Sequence, residues 1–172
     1  LSKTLFQTTD PSSTGFRSSE ILTGQIGAFY NFIAFVTAFG MAFIAKKISP
    51  KYMHQICLIL AGLAIMTIPL LNQKWQIFLP MIGLGLAWAS MMGNPYIMLS
   101  NSIPSSKTGV YMGIFNLFIV IPMLIETFTF PFIYKNLLGK DPQYALMMAG
   151  VLLFLGGMFT GIIPFKSRTA ES

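Results

Sequence analysis

The side chains in this sequence that can recognise a polar ligand are few, and they lie inside long apolar runs. Gln25, Tyr30 and Asn31 fall in one run, Trp88, Ser90, Asn94 and Tyr96 in a second, and Tyr111, Asn116, Glu126, Thr127 and Thr129 in a third. Amides both donate and accept hydrogen bonds and hydroxyls do the same, which suits a polyhydroxyl ligand, while aromatic rings cover its apolar faces. At about 100° per residue, Ser90, Asn94, Ile97 and Asn101 share a narrow helical stripe. Met112, Asn116, Ile119, Met123, Glu126, Thr127 and Phe130 share another. Stripes that mix amides, an acid, Met and aromatics suit the wall of a ligand cavity. They also suit interhelical hydrogen bonding, worth about 0.6–2 kcal/mol per contact, and for each Asn both readings stay open. The candidate substrate-binding set is Gln25, Asn31, Trp88, Asn94, Asn116 and Glu126.

The elements that must position these groups follow from composition. Of 172 residues, 54% are hydrophobic and 9% charged, against about 25% charged in soluble domains, and the mean hydropathy is +0.68. Five stretches satisfy the need for about 20 apolar residues per bilayer span: 21–45, 55–71, 76–100, 109–134 and 143–165. The connectors are short and carry charge or turn residues, so consecutive helices pack as antiparallel neighbours. Long continuous runs rather than alternation exclude a β-barrel. The expected class is all-α, a polytopic transmembrane helix bundle over 21–165, with residues 1–20 as an extracytoplasmic loop and 166–172 as a cytoplasmic tail.

Charge and rare residues exclude other functions. The net charge of +6 comes from basic residues placed singly or in short clusters between apolar runs. That is the pattern of headgroup-facing loops rather than of a nucleic-acid surface. Cys57 and His54 are the sole cysteine and histidine, so no nucleophile–base pair or metal set is expected, nor any cofactor or enzymatic activity. His54 and Trp75 read as interfacial residues at span edges. Gly157-x-x-x-Gly161 and Ala89-x-x-x-Gly93 read as helix-packing pairs. Pro95, Pro122 and Pro131 lie inside the third and fourth spans and free carbonyls that neighbours, water or a ligand must satisfy.

Several stretches resemble a known family. Gly85-Leu86-Ala87-Trp88-Ala89-Ser90 with Asn94-Pro95-Tyr96-Ile97-Met98-Leu99 is similar to the tenth helix of sucrose/maltose-type sugar–proton symporters. These form the glycoside–cation symporter branch of the major facilitator superfamily. The run from Lys107-Thr108-Gly109-Val110-Tyr111-Met112-Gly113 through Asn116 to Ile121-Pro122 resembles the eleventh helix of that family. Thr8-Thr9-Asp10-Pro11, Tyr30-Asn31 and Asp141-Pro142-x-Tyr144-Ala145-Leu146 also match it, in order along the chain. The chain departs from the family in Met123, where a glutamine is common, and in Glu126.

The resemblance implies that the five spans are the eighth to twelfth helices of a C-terminal half that lacks its own first helix. It implies uptake of a disaccharide or related glycoside, coupled to protons (or sodium) by alternating access against an N-terminal half of the same transporter. The setting would be the lipid bilayer of a cell membrane, a bacterial inner membrane. The eighth, tenth and eleventh helices would line the cavity, and the ninth and twelfth would be peripheral. Apart from the resemblance, an acid within a span is costly and desolvation favours its neutral form. Glu126 is therefore expected to carry the coupled proton, bond sugar hydroxyls, or sit protonated against a neighbouring helix. The alternative to transport is a non-catalytic membrane subunit or channel-like helical assembly.

Five spans place Lys46, Lys47, Lys51, Lys107, Lys166 and Arg168 on one side, and Lys3, Arg17, Lys74, Lys135 and Lys140 on the other. The Lys46–Lys51 cluster assigns the first side to the cytoplasm. Single cysteines at Lys47 and Lys107, in a Cys57→Ala background, should therefore react with an impermeant thiol reagent from the opposite side to cysteines at Lys74 and Lys135. Labelling of positions 47 and 74 from the same side would eliminate the second span.

Overall fold

The computed structural model describes residues 5, 6, 8, 10–45 and 47–165. The first helix starts earlier than the apolar run. Pro11 turns the chain, the Ser13 amide donates to the Asp10 carbonyl at 3.1 Å, and the Ser13 hydroxyl accepts from the Phe16 amide at 3.1 Å. This serine cap satisfies one of the free donors of a helix start, so α1 runs Thr14–Ile44. Residues 14–20 are therefore helical rather than part of a loop. The Asp10 carboxylate accepts from the Ser12 amide and hydroxyl, and these bonds hold its carboxyl below the usual carboxylate range. Thr9, from the same family-like motif, and Lys3, Lys46, Lys166, Arg168 and the 166–172 tail lie outside the described residues.

The other helices also begin where the sequence supplies a start. Pro50 opens α2, Pro50–Thr67, in the first turn where its missing N–H costs nothing. A 3₁₀ turn over Ile68–Leu70 ends it. Helix α3, Phe78–Ser102, follows a 3₁₀ turn over Lys74–Ile77, and α4 is Thr108–Asn136. A left-handed pair, Gly139 and Lys140, reverses the chain before α5, Pro142–Ile162. Asp141 caps α5 by accepting from the Gln143 amide at 2.8 Å. The Asp-Pro of the family-like motif is thus a helix start.

With their flanking turns, all five helices are long and apolar enough to cross a membrane. At 1.5 Å per residue, the 31 residues of α1 extend about 46 Å, more than the hydrocarbon core of about 30 Å. Its polar first turns, with Arg17, Ser18 and Glu20, therefore fall in the headgroup zone. Phe43, Phe118 and Phe128 are 78%, 71% and 79% exposed, a surface that suits lipid and would be costly in water.

The helices form an array in which α3 lies between α1 and α2, and α2 between α3 and α5. Glycines set these pairings. A Cβ on Gly83 would sit 2.8 Å from the Ala64 Cβ of α2, and one on Gly85 would sit 2.7 Å from Ile33 of α1. Two residues in a helix differ by about 200°, so these glycines open opposite faces of α3 to its two neighbours. The closest crossing joins α2 and α5: a Cβ on Gly62 would lie 2.6 Å from the Phe154 nitrogen and 2.7 Å from the Gly150 carbonyl.

Gly157 and Gly161 do pack, against Ile59 and Gln55 of α2. In the second expected pair Ala89 is buried, but nothing approaches Gly93 within 4 Å. The family resemblance puts α2 at the periphery, and among these five helices it is central. The reason is that its small face, Ala61, Gly62 and Ala64, admits neighbours on two sides. Helix α4 has no buried residue and meets the array chiefly along α3.

Gly62→Ala and Gly150→Ala are each expected to destabilise the bundle by about 1–3 kcal/mol, because the added methyl meets backbone. Gly24→Ala, with open space around it, should be neutral or slightly stabilising. Thermal unfolding in detergent micelles checks this, and equal melting of all three variants would contradict the crossing.

Candidate functional site

Polar side chains gather in two places. The first is sealed between α2 and α3. Ser90 is fully buried and Asn94 is 3% exposed. The Asn94 Nδ2 donates to Ser90 Oγ at 2.8 Å, and His54 Nδ1 lies 2.9 Å from the same oxygen. The Ser90–Asn94 spacing of one helical turn aligns both residues on the face of α3 that meets α2. His54 reaches them because α2 begins at Pro50, which puts this residue in its second turn and beside α3. It is therefore not only an interfacial residue: its ring is part-buried and tied to a buried serine. One turn on, Cys57 is also buried. Below the cluster, Lys51 Nζ donates to the Gly161 carbonyl at 2.9 Å. That bond satisfies an acceptor at the end of α5 and closes α2 onto α5.

The second group lies on the open side of the array. Tyr30 of α1 meets Trp88 of α3 edge-on, with centroids 6.3 Å apart, and Trp88 remains 45% exposed. Asn31 is exposed beside Tyr30, its amide donating to the Gly27 carbonyl at 2.8 Å. Toward the other end of α3, Tyr96 Oη donates to Asn116 Oδ1 of α4 at 2.9 Å, and its ring packs edge-on against Phe115 at 5.1 Å. Pro95 and Pro122 interrupt the hydrogen-bond ladders of the two helices joined here.

The six candidate residues therefore separate. Trp88, Asn31 and Asn116 are exposed; Trp88 meets Tyr30 and Asn116 bonds Tyr96, two neighbours that the candidate set omitted, while Asn31 bonds only within its own helix. Asn94 is sealed against Ser90. Gln25 is exposed on α1 at the edge of a shallow cavity with Phe6, Ile21 and Lys74. Glu126 is exposed on α4, well along the helix from Asn116. The stripe Ser90, Asn94, Ile97 and Asn101 is divided in the same way, since Ile97 is 42% exposed while the first two are covered by α2.

Two further cavities mark the ends of the array. One, of about 220 Å³, is apolar and lies between the start of α5 and the far ends of α1 and α2, lined by Ile26, Ile68, Met81 and Leu146. The other, of about 310 Å³, lies at the Lys51 and Lys107 end and is lined by His54, Pro95, Ser102, Phe115 and Thr160 among others. His54 thus has one side on the buried cluster and another on a cavity. The sequence signal for the cluster was the Ser90–Asn94 pair within an apolar helix. Nothing in the sequence pairs it with His54, 36 residues away.

Compared with known proteins, the chain matches no family model, no curated protein and no solved structure.

The Tyr96–Asn116 bond is the polar tie between α3 and α4. A double-mutant cycle with Tyr96→Phe and Asn116→Ala should return a coupling of about 0.6–1.7 kcal/mol, the range of such bonds in bilayers. Additive effects on unfolding would mean that the two side chains do not meet.

Proposed function

We propose that this chain forms part of a secondary transporter that carries a sugar, a disaccharide or related glycoside, across a cell membrane together with a cation, the proton before sodium. Alternating access needs a second bundle to rock against this one around a site near the bilayer midplane. An N-terminal half of the same transporter fills that role in this reading. The protein is a carrier and not an enzyme.

The observation that supports this reading most is the difference between the two polar groups. The Tyr30–Trp88 pair between α1 and α3 and the Tyr96–Asn116 pair between α3 and α4 keep exposed surface that a ligand can reach, and Asn31 is exposed on α1. These are the helices that the resemblance assigns to the cavity wall. Aromatic and amide groups in that mixture fit a sugar, whose ring faces are apolar and whose rim is hydroxylated. The prolines of α3 and α4 add support, because freed carbonyls at membrane depth are tolerated beside a water-filled cavity.

The test is uptake of labelled disaccharides by cells or proteoliposomes carrying the transporter that contains this chain, with and without an inward proton gradient. Asn31→Ala and Asn116→Ala should each weaken apparent sugar affinity by about 1–3 kcal/mol, the cost of leaving a hydrogen-bonding partner unpaired, with membrane expression kept. Asn94→Ala should act chiefly on stability, through Ser90. Absence of gradient-driven uptake for a panel of disaccharides would remove the transporter reading and leave the membrane-subunit alternative.

A further inference from the structure

We propose that the His54 imidazole, held between Ser90 and the cavity at the Lys51 end, is the binding site of the coupled proton. The inference rests on the transporter reading above and assigns the proton to α2 rather than to Glu126 on α4.

Histidine is the side chain whose ordinary charge change falls between pH 5 and 8, and this chain has one. Its position ties one ring nitrogen to Ser90. Ser90 Oγ offers two lone pairs; one receives the Asn94 amide at 2.8 Å and the other faces Nδ1 at 2.9 Å. With hydrogen on Nδ1, the ring donates to Ser90 Oγ, which then accepts from both Asn94 and His54. Nε2 is then the nitrogen left to accept a proton arriving through the cavity that His54 lines. The step is balanced: a water or hydronium in the cavity gives the proton, Nε2 gains it, and the Nδ1–Ser90 bond persists. Asn94 holds Ser90 with its oxygen toward the ring, so it acts as a positioning residue.

The charged and titratable groups around the ring do not compete for this role. On α2 itself these are Lys51, whose ammonium is bound to the Gly161 carbonyl, and the buried Cys57. Toward it, α3 presents Ser90 and Asn94, α4 presents Phe115 and α5 presents Thr160. Neither α2, α3 nor α5 contains an Asp or Glu within its helical range. No carboxylate on those helices neutralises a cationic ring, so protonation puts an unpaired charge at the contact between α2 and α3. That charge is costly there and favours a shift of the contact. Helix α3 carries Trp88 against α1 and Tyr96 against α4, so a shift of α3 against α2 moves both.

The experiment compares wild-type and His54→Gln transporter in proteoliposomes by two assays. Sugar counterflow exchanges sugar without net proton movement, whereas uphill accumulation requires coupling. With one proton per sugar, a gradient of about one pH unit drives about tenfold accumulation. His54→Gln is expected to keep counterflow and to lose the accumulation, bringing the ratio to unity. Accumulation in His54→Gln at the wild-type ratio, with an unchanged pH profile, would overturn the assignment.

Should that variant fail to insert, Ser90→Ala keeps the imidazole and removes its partner. It should shift the pH midpoint of accumulation, and an unmoved midpoint overturns the proposal equally. Wild-type protein with no sugar exchange at all would sink the transporter reading. His54 is then judged by its imidazole NMR signal in the purified protein, identified by its loss in His54→Gln. Titration of that signal between pH 5 and 8 supports a proton site, and a signal fixed across the range removes it.

Discussion

The backbone of α2 runs against the backbone of α5 at Gly62 and Gly150 with no room for a side chain between them, and the rest of the array is arranged around that crossing. In hydrocarbon the hydrophobic effect gives helices no reason to associate, so close packing and hydrogen bonding must supply it. Glycine supplies the first by removing the side chain where two helices cross. Once α2 is fixed to α5, its opposite small face, at Ala61 and Ala64, accepts Gly83 of α3. Gly85 on the far side of α3 then accepts α1. Each helix is placed by the absence of a side chain on its neighbour.

That packing decides where polarity can be exposed. The α2–α3 contact covers Ser90 and Asn94, which would be costly in lipid without partners. Ser90 answers this by bonding two partners, Asn94 from its own helix and His54 from α2. Trp88 and Tyr96 of α3 lie on the side that α2 leaves uncovered. There Trp88 meets Tyr30 and Tyr96 meets Asn116. One helix thus carries a sealed polar cluster and an open one within a few turns, and the difference between covered and exposed polarity is a difference of face.

Helix α4 stands apart from this scheme. It has the second-longest helical stretch, two internal prolines and the intramembrane acid Glu126, yet it is tied to the array mainly through Tyr96, Asn116 and Phe115. A helix held at so few points, and interrupted in its own hydrogen-bond ladder, is suited to movement relative to a rigid α2–α3–α5 core. The core is rigid for the opposite reason, since backbone-to-backbone crossings leave little freedom to slide.

The sequence by itself determined that there are five membrane-length helices and roughly where each turns, because the bilayer fixes span length and unpaired backbone is forbidden inside it. It also determined several helix starts, at Pro50 and Asp141-Pro142, and the packing role of Gly157 and Gly161. It placed the start of α1 too late, since hydropathy ignores a cap such as Ser13 that extends a helix into polar sequence. It chose the candidate residues by type and periodicity, which is why Asn31, Asn94 and Asn116 looked alike. Only the tertiary structure separated them, by covering Asn94 with α2 and leaving the other two open. The partnership of His54 with Ser90 and the central place of α2 were likewise decided in three dimensions. Both depend on which faces of helices distant in sequence meet, and periodicity within a single helix carries no information about its partner.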